Sequence, residues 1–239
     1  MDYVDTAQIE YHYYERPWVK AIRQLRSGEG FRWPSWNRLL GDSYNFLDQP
    51  QIHTHSHHLC HAAAGFQTSP FEDATVVVID AIGEFDTITI WDAQYDFLTG
   101  KAEYKKIWSM QYPDSIGLFY SAMTQRVGLR PLDEEYILMG MAAYGKNNHL
   151  KEINKLIRSY KDITFTDNLH TGVPDEFLKD ADNMDIATAT QLIAEQLIMQ
   201  VMSKARMLGG SKNLVYGGGV ALNCVANSLV AKHIYPKIW

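Results

Sequence analysis

The sequence predicts an α/β fold, and three observations carry that reading. Val76, Val77, Val78 and Ile79 make a short uninterrupted apolar run, the pattern of a strand buried on both faces. Ile186, Ala189, Ile193, Leu197, Val201 and Ala205 recur at helical spacing and stop at Gly209-Gly210, where a helix ends readily. Leu214-Val-Tyr216 then reads as a strand that passes through Gly217-Gly-Gly219 into a helix over 221–233. Strands and helices alternating along a chain build layered α/β structures.

Residues 1–27 read as helical, with Ile9 and Tyr13 one turn apart, a break at Pro17, then Val19, Ile22 and Leu25. Residues 28–50, rich in Gly, Pro, Trp and Asn, read as an irregular connection. A helix is expected to start in the histidine-rich segment that follows and to run into Ala62-Ala-Ala64. After the strand at 75–80, residues 85–91 alternate as a half-buried strand, and 104–110 supply a third. Residues 115–127 have helical periodicity, with Leu118, Phe119 and Met123 on one side. A second unit is expected from 147, dividing the chain into 1–146 and 147–239. It opens with an amphipathic helix over 151–160 and a short strand at 163–165. Asp185 is the expected N-cap of the long helix, since an aspartate before an apolar helical run can accept from its first N–H groups.

Of nine histidines in the chain, five fall between His53 and His61, so chemistry is concentrated there. His57 and His61 are one helical turn apart, which places their Cβ atoms roughly 5–6 Å from each other on one face. Two ring nitrogens so placed can reach one metal ion at about 2.0–2.1 Å. Asp80, where the apolar strand meets a turn, is a candidate third ligand for zinc or ferrous iron. His53 and His57 have the same spacing, and a solvated polar tract is the alternative, so the histidines alone do not choose. Gly217-Gly-Gly219 between a strand and a helix is a candidate phosphate cradle, because glycines let backbone N–H groups approach an anion. A tight structural turn is the alternative. Asn223 is a candidate helix cap or ligand contact, and Cys224 reads as a packing residue.

Four segments in order carry a family resemblance. They are His57-His58 with His61-Ala-Ala, Ser69-Pro-Phe71 and the Asp80 turn to Gly83-Glu84; Ser115-Ile-Gly-Leu-Phe-Tyr-Ser-Ala; Glu135-Tyr-Ile-Leu-Met-Gly-Met-Ala-Ala-Tyr-Gly145; and Tyr216-Gly-Gly-Gly-Val-Ala-Leu-Asn-Cys-Val-Ala-Asn227. Together they resemble the nodulation and antibiotic O-carbamoyltransferases, whose catalytic domain is related to the tRNA threonylcarbamoyladenosine enzymes. The resemblance implies an actin-like ATPase architecture, a duplicated ribonuclease H-like unit, incomplete here at both ends. It implies His57, His61 and Asp80 as ligands of Fe(II) or Zn(II), with a fourth, an aspartate, beyond Trp239. It also implies that Gly217, Gly218, Gly219 and Asn223 face ATP or a carbamoyl-adenylate made from carbamoyl phosphate. His58 and Glu84 are then candidate catalytic residues, His58 as general base or as support for a ligand, Glu84 toward the acceptor. The chain departs from the family at Ala81, where a glycine is usual, at Ile137 for a lysine, and at Ala143 for a proline.

Carbamoyl transfer to a hydroxyl of a small molecule is the implied reaction. The alternatives are a tRNA or protein acceptor and a truncated, non-catalytic metal- or nucleotide-binding protein. The isolated chain is expected not to complete the transfer, being either a fragment or one product of a split gene whose missing domain a second chain supplies; a homodimer is a further expectation. With 239 residues, 46% apolar and 21% charged, the composition is that of a globular protein. A net charge of −6 argues against a broad polyanion-binding surface and so against nucleic acid as partner. The basic residues Arg16, Lys20, Arg23, Arg26, Arg32 and Arg38 share their region with acids and read as a solvated face. Two cysteines make no disulfide framework, no run approaches the ~20 apolar residues of a membrane span, and a cytoplasmic location is expected.

Overall fold

The structure is a computed structural model that describes residues 55–239. The helix expected over 1–27, the connection at 28–50, the basic residues among them and His53 lie outside the described residues.

Strand β1 (Asp73–Gly83) carries the apolar run, and its alternation sends side chains to two different cores. Val77 and Ile79 join one cluster, while Val76 and Val78 join another. Helix α1 (His57–Thr68) covers the second cluster, burying His58, Ala62 and Phe66, residues one turn apart along one stripe. Phe66 meets Tyr104 edge to face, with ring centroids 5.8 Å apart. Strands β2 (Asp86–Asp96) and β3 (Lys101–Gln111) extend β1 as an antiparallel meander.

Across the other face of the sheet lie α2 (Ile116–Arg126), α3 (Glu135–Met141) and the short α4 (Leu150–Asn154). Strands β4 (Ile157–Ser159) and β5 (Thr164–Phe165) pair with each other in a separate small sheet. The expected helix over 151–160 is therefore only half helix. Ile157 leaves it to pair with Phe165, and both side chains are buried in the larger cluster. Phe119 of α2 stacks on Phe165 at 5.7 Å, which holds this small sheet on the core.

Helix α5 (Asn183–Leu208) is the central helix of this layer, with twelve buried residues on one long stripe. Its N-cap is Asp182 rather than Asp185, because the Asp182 carboxylate accepts from the N–H groups of Met184 and Asp185. Asp185 turns outward instead and accepts from Lys146 N–H and the Asn148 amide. Those donors hold its carboxyl below the usual range, the Lys146 N–H foremost. Strand β6 (Asn213–Gly217) returns from α5 to pair in parallel with β1, Thr75 opposite Leu214 and Val78 opposite Gly217. A 3₁₀ turn (Gly219–Leu222), helix α6 (Cys224–His233) and strand β7 (Lys237–Ile238) complete the described residues. The sheet order is β3-β2-β1-β6-β7, a mixed five-stranded sheet in an α/β fold. Strands from either side of residue 147 thus share one sheet. Among the described residues no helix is long and apolar enough to cross a membrane.

Candidate metal centre

Helix α1 and the end of β1 bring three side chains to one point. His57 and His61 project from the edge of α1 beside its buried stripe, and Asp80 leaves β1 toward them. One ligand atom from each of the three lies within 4.8 Å of the others. His61 Nε2 is 3.2 Å from Asp80 Oδ2, the spacing of two ligands that share an ion held at about 2.0–2.2 Å from each. The other carboxylate oxygen, Oδ1, accepts from Ala81 N–H at 2.9 Å, which leaves Oδ2 turned to the imidazole. Two imidazoles and a carboxylate suit ferrous iron or zinc, so the donor set fits the metal that the resemblance implies.

A cleft of about 310 Å³ opens beside Asp80. Asp80, Gly219 and Asn223 share its lining with Tyr120, Ser121 and Glu135, and Tyr136, Met139, Ile198 and Leu222 supply apolar wall. Ser121 Oγ donates to Glu135 Oε1 at 2.6 Å, and that oxygen also accepts from Leu132 N–H. Tyr120 Oη donates to Gln191 Oε1 at 2.8 Å; burial above all, with the nearby Glu195 and Glu135 carboxylates, pushes its phenol far above the ordinary tyrosine value.

The structure does not bring His58 or Glu84 into the cleft lining. His58 is buried between α1 and the sheet, its Nδ1 2.9 Å from Thr89 Oγ1, and the same oxygen accepts from Trp91 Nε1 at 2.8 Å. Glu84 occupies the two-residue turn between β1 and β2, at φ 66°. Ala81, which replaces a usual glycine, is not among the residues with positive φ, so its methyl group costs no backbone strain.

The three glycines have different surroundings. Gly217 closes β6, and Gly219 lines the cleft, where an added Cβ would lie 3.1 Å from Asp80 Oδ1. Gly218, at φ 90°, is pressed on β1, and a Cβ there would fall 2.3 Å from the Ile79 carbonyl oxygen. A valine at 218 would disturb the fold itself, so lost nucleotide binding in Gly218→Val would say nothing about a cradle. Asn223 caps α6 by accepting from Ala226 N–H, and its amide pairs reciprocally with that of Gln191.

Sequence reasoning placed Ser115 and Gly117 in a family segment but missed what they touch: at the start of α2 they pack on the backbone at Asp80 and Ala81. The available signal was a serine directly before an apolar helical run, the pattern of an N-cap.

Comparison with known proteins shows the family to which this chain belongs. The chain is 34% identical over 223 residues to Uncharacterized protein sll1178 of Synechocystis sp., covering 84% of this chain and 35% of that protein. It is 27% identical over 209 residues to Nodulation protein NolNO of Sinorhizobium fredii, covering 81% and 29%. It is 26% identical over 193 residues to Nodulation protein NolO of Bradyrhizobium diazoefficiens, covering 72% and 32%. The chain therefore spans about a third of the length of these relatives. Residues 9–239 match the model of the carbamoyltransferase N-terminus, and the chain belongs to that family.

Proposed function

We propose that this chain carries the acceptor-side half-site of an O-carbamoyltransferase. The convergence of His57, His61 and Asp80 beside a cleft carries the reading. Fe(II) or Zn(II) held by these three residues would act as a Lewis acid toward the carbamoyl carbonyl. The carbamoyl group comes from a carbamoyl-adenylate made from carbamoyl phosphate and ATP. The hydroxyl oxygen of a small-molecule acceptor bonds to the carbamoyl carbon as the bond from that carbon to the AMP phosphate oxygen breaks, and AMP and the hydroxyl proton leave.

The chain's own residues define how the partners sit. Gly219, without a side chain, lets the donor approach the backbone next to Asp80. Tyr136, Met139, Ile198 and Leu222 offer the reacting partners an apolar wall along the cleft. Ser121 and Glu135 face the acceptor hydroxyl as its polar contact. His58, tied to Thr89, acts on the reaction only by fixing the helix that presents His57 and His61. The mixed sheet with helices on both faces supports the finer reading of an actin-like, ribonuclease H-like unit.

Metal analysis together with binding of a non-hydrolysable adenylate analogue tests the proposal. Wild-type protein should bind one metal ion weakly, and His61→Ala and Asp80→Asn should lose it while His53→Ala keeps it. Val220→Trp, which fills the cleft, should weaken analogue binding about tenfold or more, about 1.4 kcal/mol. Unchanged metal content in His61→Ala, or unchanged analogue affinity in Val220→Trp, would refute the corresponding half of the reading.

A further inference from the structure

Asp80 stands where β1 departs from regular pairing. Its register with β2 runs to Ile79 opposite Ile88 and resumes only at Gly83 opposite Asp86, while the parallel pairing with β6 ends at Val78. Ser115 meets the backbone beside the carboxylate. Its hydroxyl, in a residue 1% exposed, donates to the Ala81 carbonyl at 2.7 Å, with the Asp80 carbonyl at 3.3 Å. The same oxygen accepts from Leu118 N–H at 3.1 Å and so caps α2. Gly117 completes the contact, because a Cβ there would lie 2.7 Å from both the Cα and the N of Ala81. The helix start is thus seated directly on the residue that follows Asp80.

We propose that Ser115 is a positioning residue for the metal centre, fixing Asp80 through its hydrogen bond to the Ala81 carbonyl and the close seating of Gly117. The inference rests on the metal reading given above. The hydroxyl caps the helix start as an acceptor and holds the ligand-bearing turn as a donor, so a variant that still caps but cannot donate separates the two tasks.

Cobalt(II) serves as the probe, read by its visible spectrum and by competition with a chromogenic chelator on the full chain. Ser115→Ala should weaken cobalt binding about ten- to a hundredfold, the range for residues that orient a ligand, and alter the spectrum. Ser115→Thr, which keeps donor and acceptor, should restore both. Asp182→Ala removes the cap of a different helix, so it should lower the melting temperature without moving cobalt affinity. Ser115→Gly, which caps almost as well as serine but cannot donate, keeps the test open if the alanine variant fails to fold. Wild-type binding with unchanged affinity in Ser115→Gly and Ser115→Ala would overturn the positioning role alone. Failure of the wild type to bind cobalt would overturn the metal reading, and this inference with it.

Discussion

His58 and His61 lie three residues apart on one helix and meet opposite environments. The His58 ring is enclosed against the sheet and shares Thr89 Oγ1 with Trp91, whereas His61 is a third exposed and faces Asp80. Their substitutions should separate. His58→Ala, by emptying a packed polar site, should lower stability by about 2 kcal/mol in a urea titration and weaken metal binding less than loss of a ligand does. His61→Ala should abolish metal binding at little cost in stability. The meeting of two helix imidazoles with the strand-end carboxylate of Asp80 was legible because helical spacing and a strand end are local patterns. The choice between His53 and His61 was not, since both pairs have the same spacing and only the resemblance chose between them. Ser115 was legible as a helix cap, but its hold on the Asp80 turn was not. Its partner, Ala81, is distant in sequence, and no local pattern announces which carbonyl a buried hydroxyl will find.

The helices show how close a local signal comes to an element's true boundary. Asp182 and Asp185 both precede the long apolar stripe of α5, and spacing does not rank them. Geometry does, because only Asp182 has its carboxylate on the N–H groups of the first turn. Asp182→Ala should therefore cost about 1 kcal/mol, measured by thermal or urea unfolding. Asp185→Ala should instead loosen the turn at Lys146 and Asn148, seen as faster amide exchange there. Residues 155–160 misled the sequence reading because Leu156 and Ile157 suit either a helix face or a strand. Pairing with Phe165 settles it. On the far side of the sheet, Phe66 anchors α1 with no exposed surface to spare. Phe66→Ala should cost about 3–5 kcal/mol, read as a shift of the urea midpoint.

At the scale of the whole molecule, the α/β class could be read from alternating elements, but the order β3-β2-β1-β6-β7 could not. Strand neighbours are chosen by tertiary packing, and nothing in the Leu214-Val-Tyr216 run names β1 as its partner. The same packing encloses tyrosines. Burial is the first cause that raises the phenol values of Tyr104, Tyr120, Tyr160, Tyr216 and Tyr235. A group whose folded value exceeds its unfolded value of about 10 lends its full stability below that pH and loses it as pH rises toward the folded value. Stability should thus fall steeply above about pH 10, with phenolate absorbance of these residues appearing together with loss of helical circular dichroism.

The pairing of β1 with two different kinds of neighbour also sets a sequence of events in time. The β1-β2-β3 meander closes through turns of a few residues, whereas Thr75 must wait for Leu214, across most of the described chain, before the parallel pair can form. Contacts so far apart in sequence form late, because the loop between them must first lose its freedom. The strand that bears Asp80 should therefore gain amide protection early in refolding, on its β2 side. Pulse-labelled hydrogen exchange should find β6 and the glycine turn protected only later. Asp80 would then be delivered to the half-formed centre first, and the Gly219 side of the cleft would close over it last.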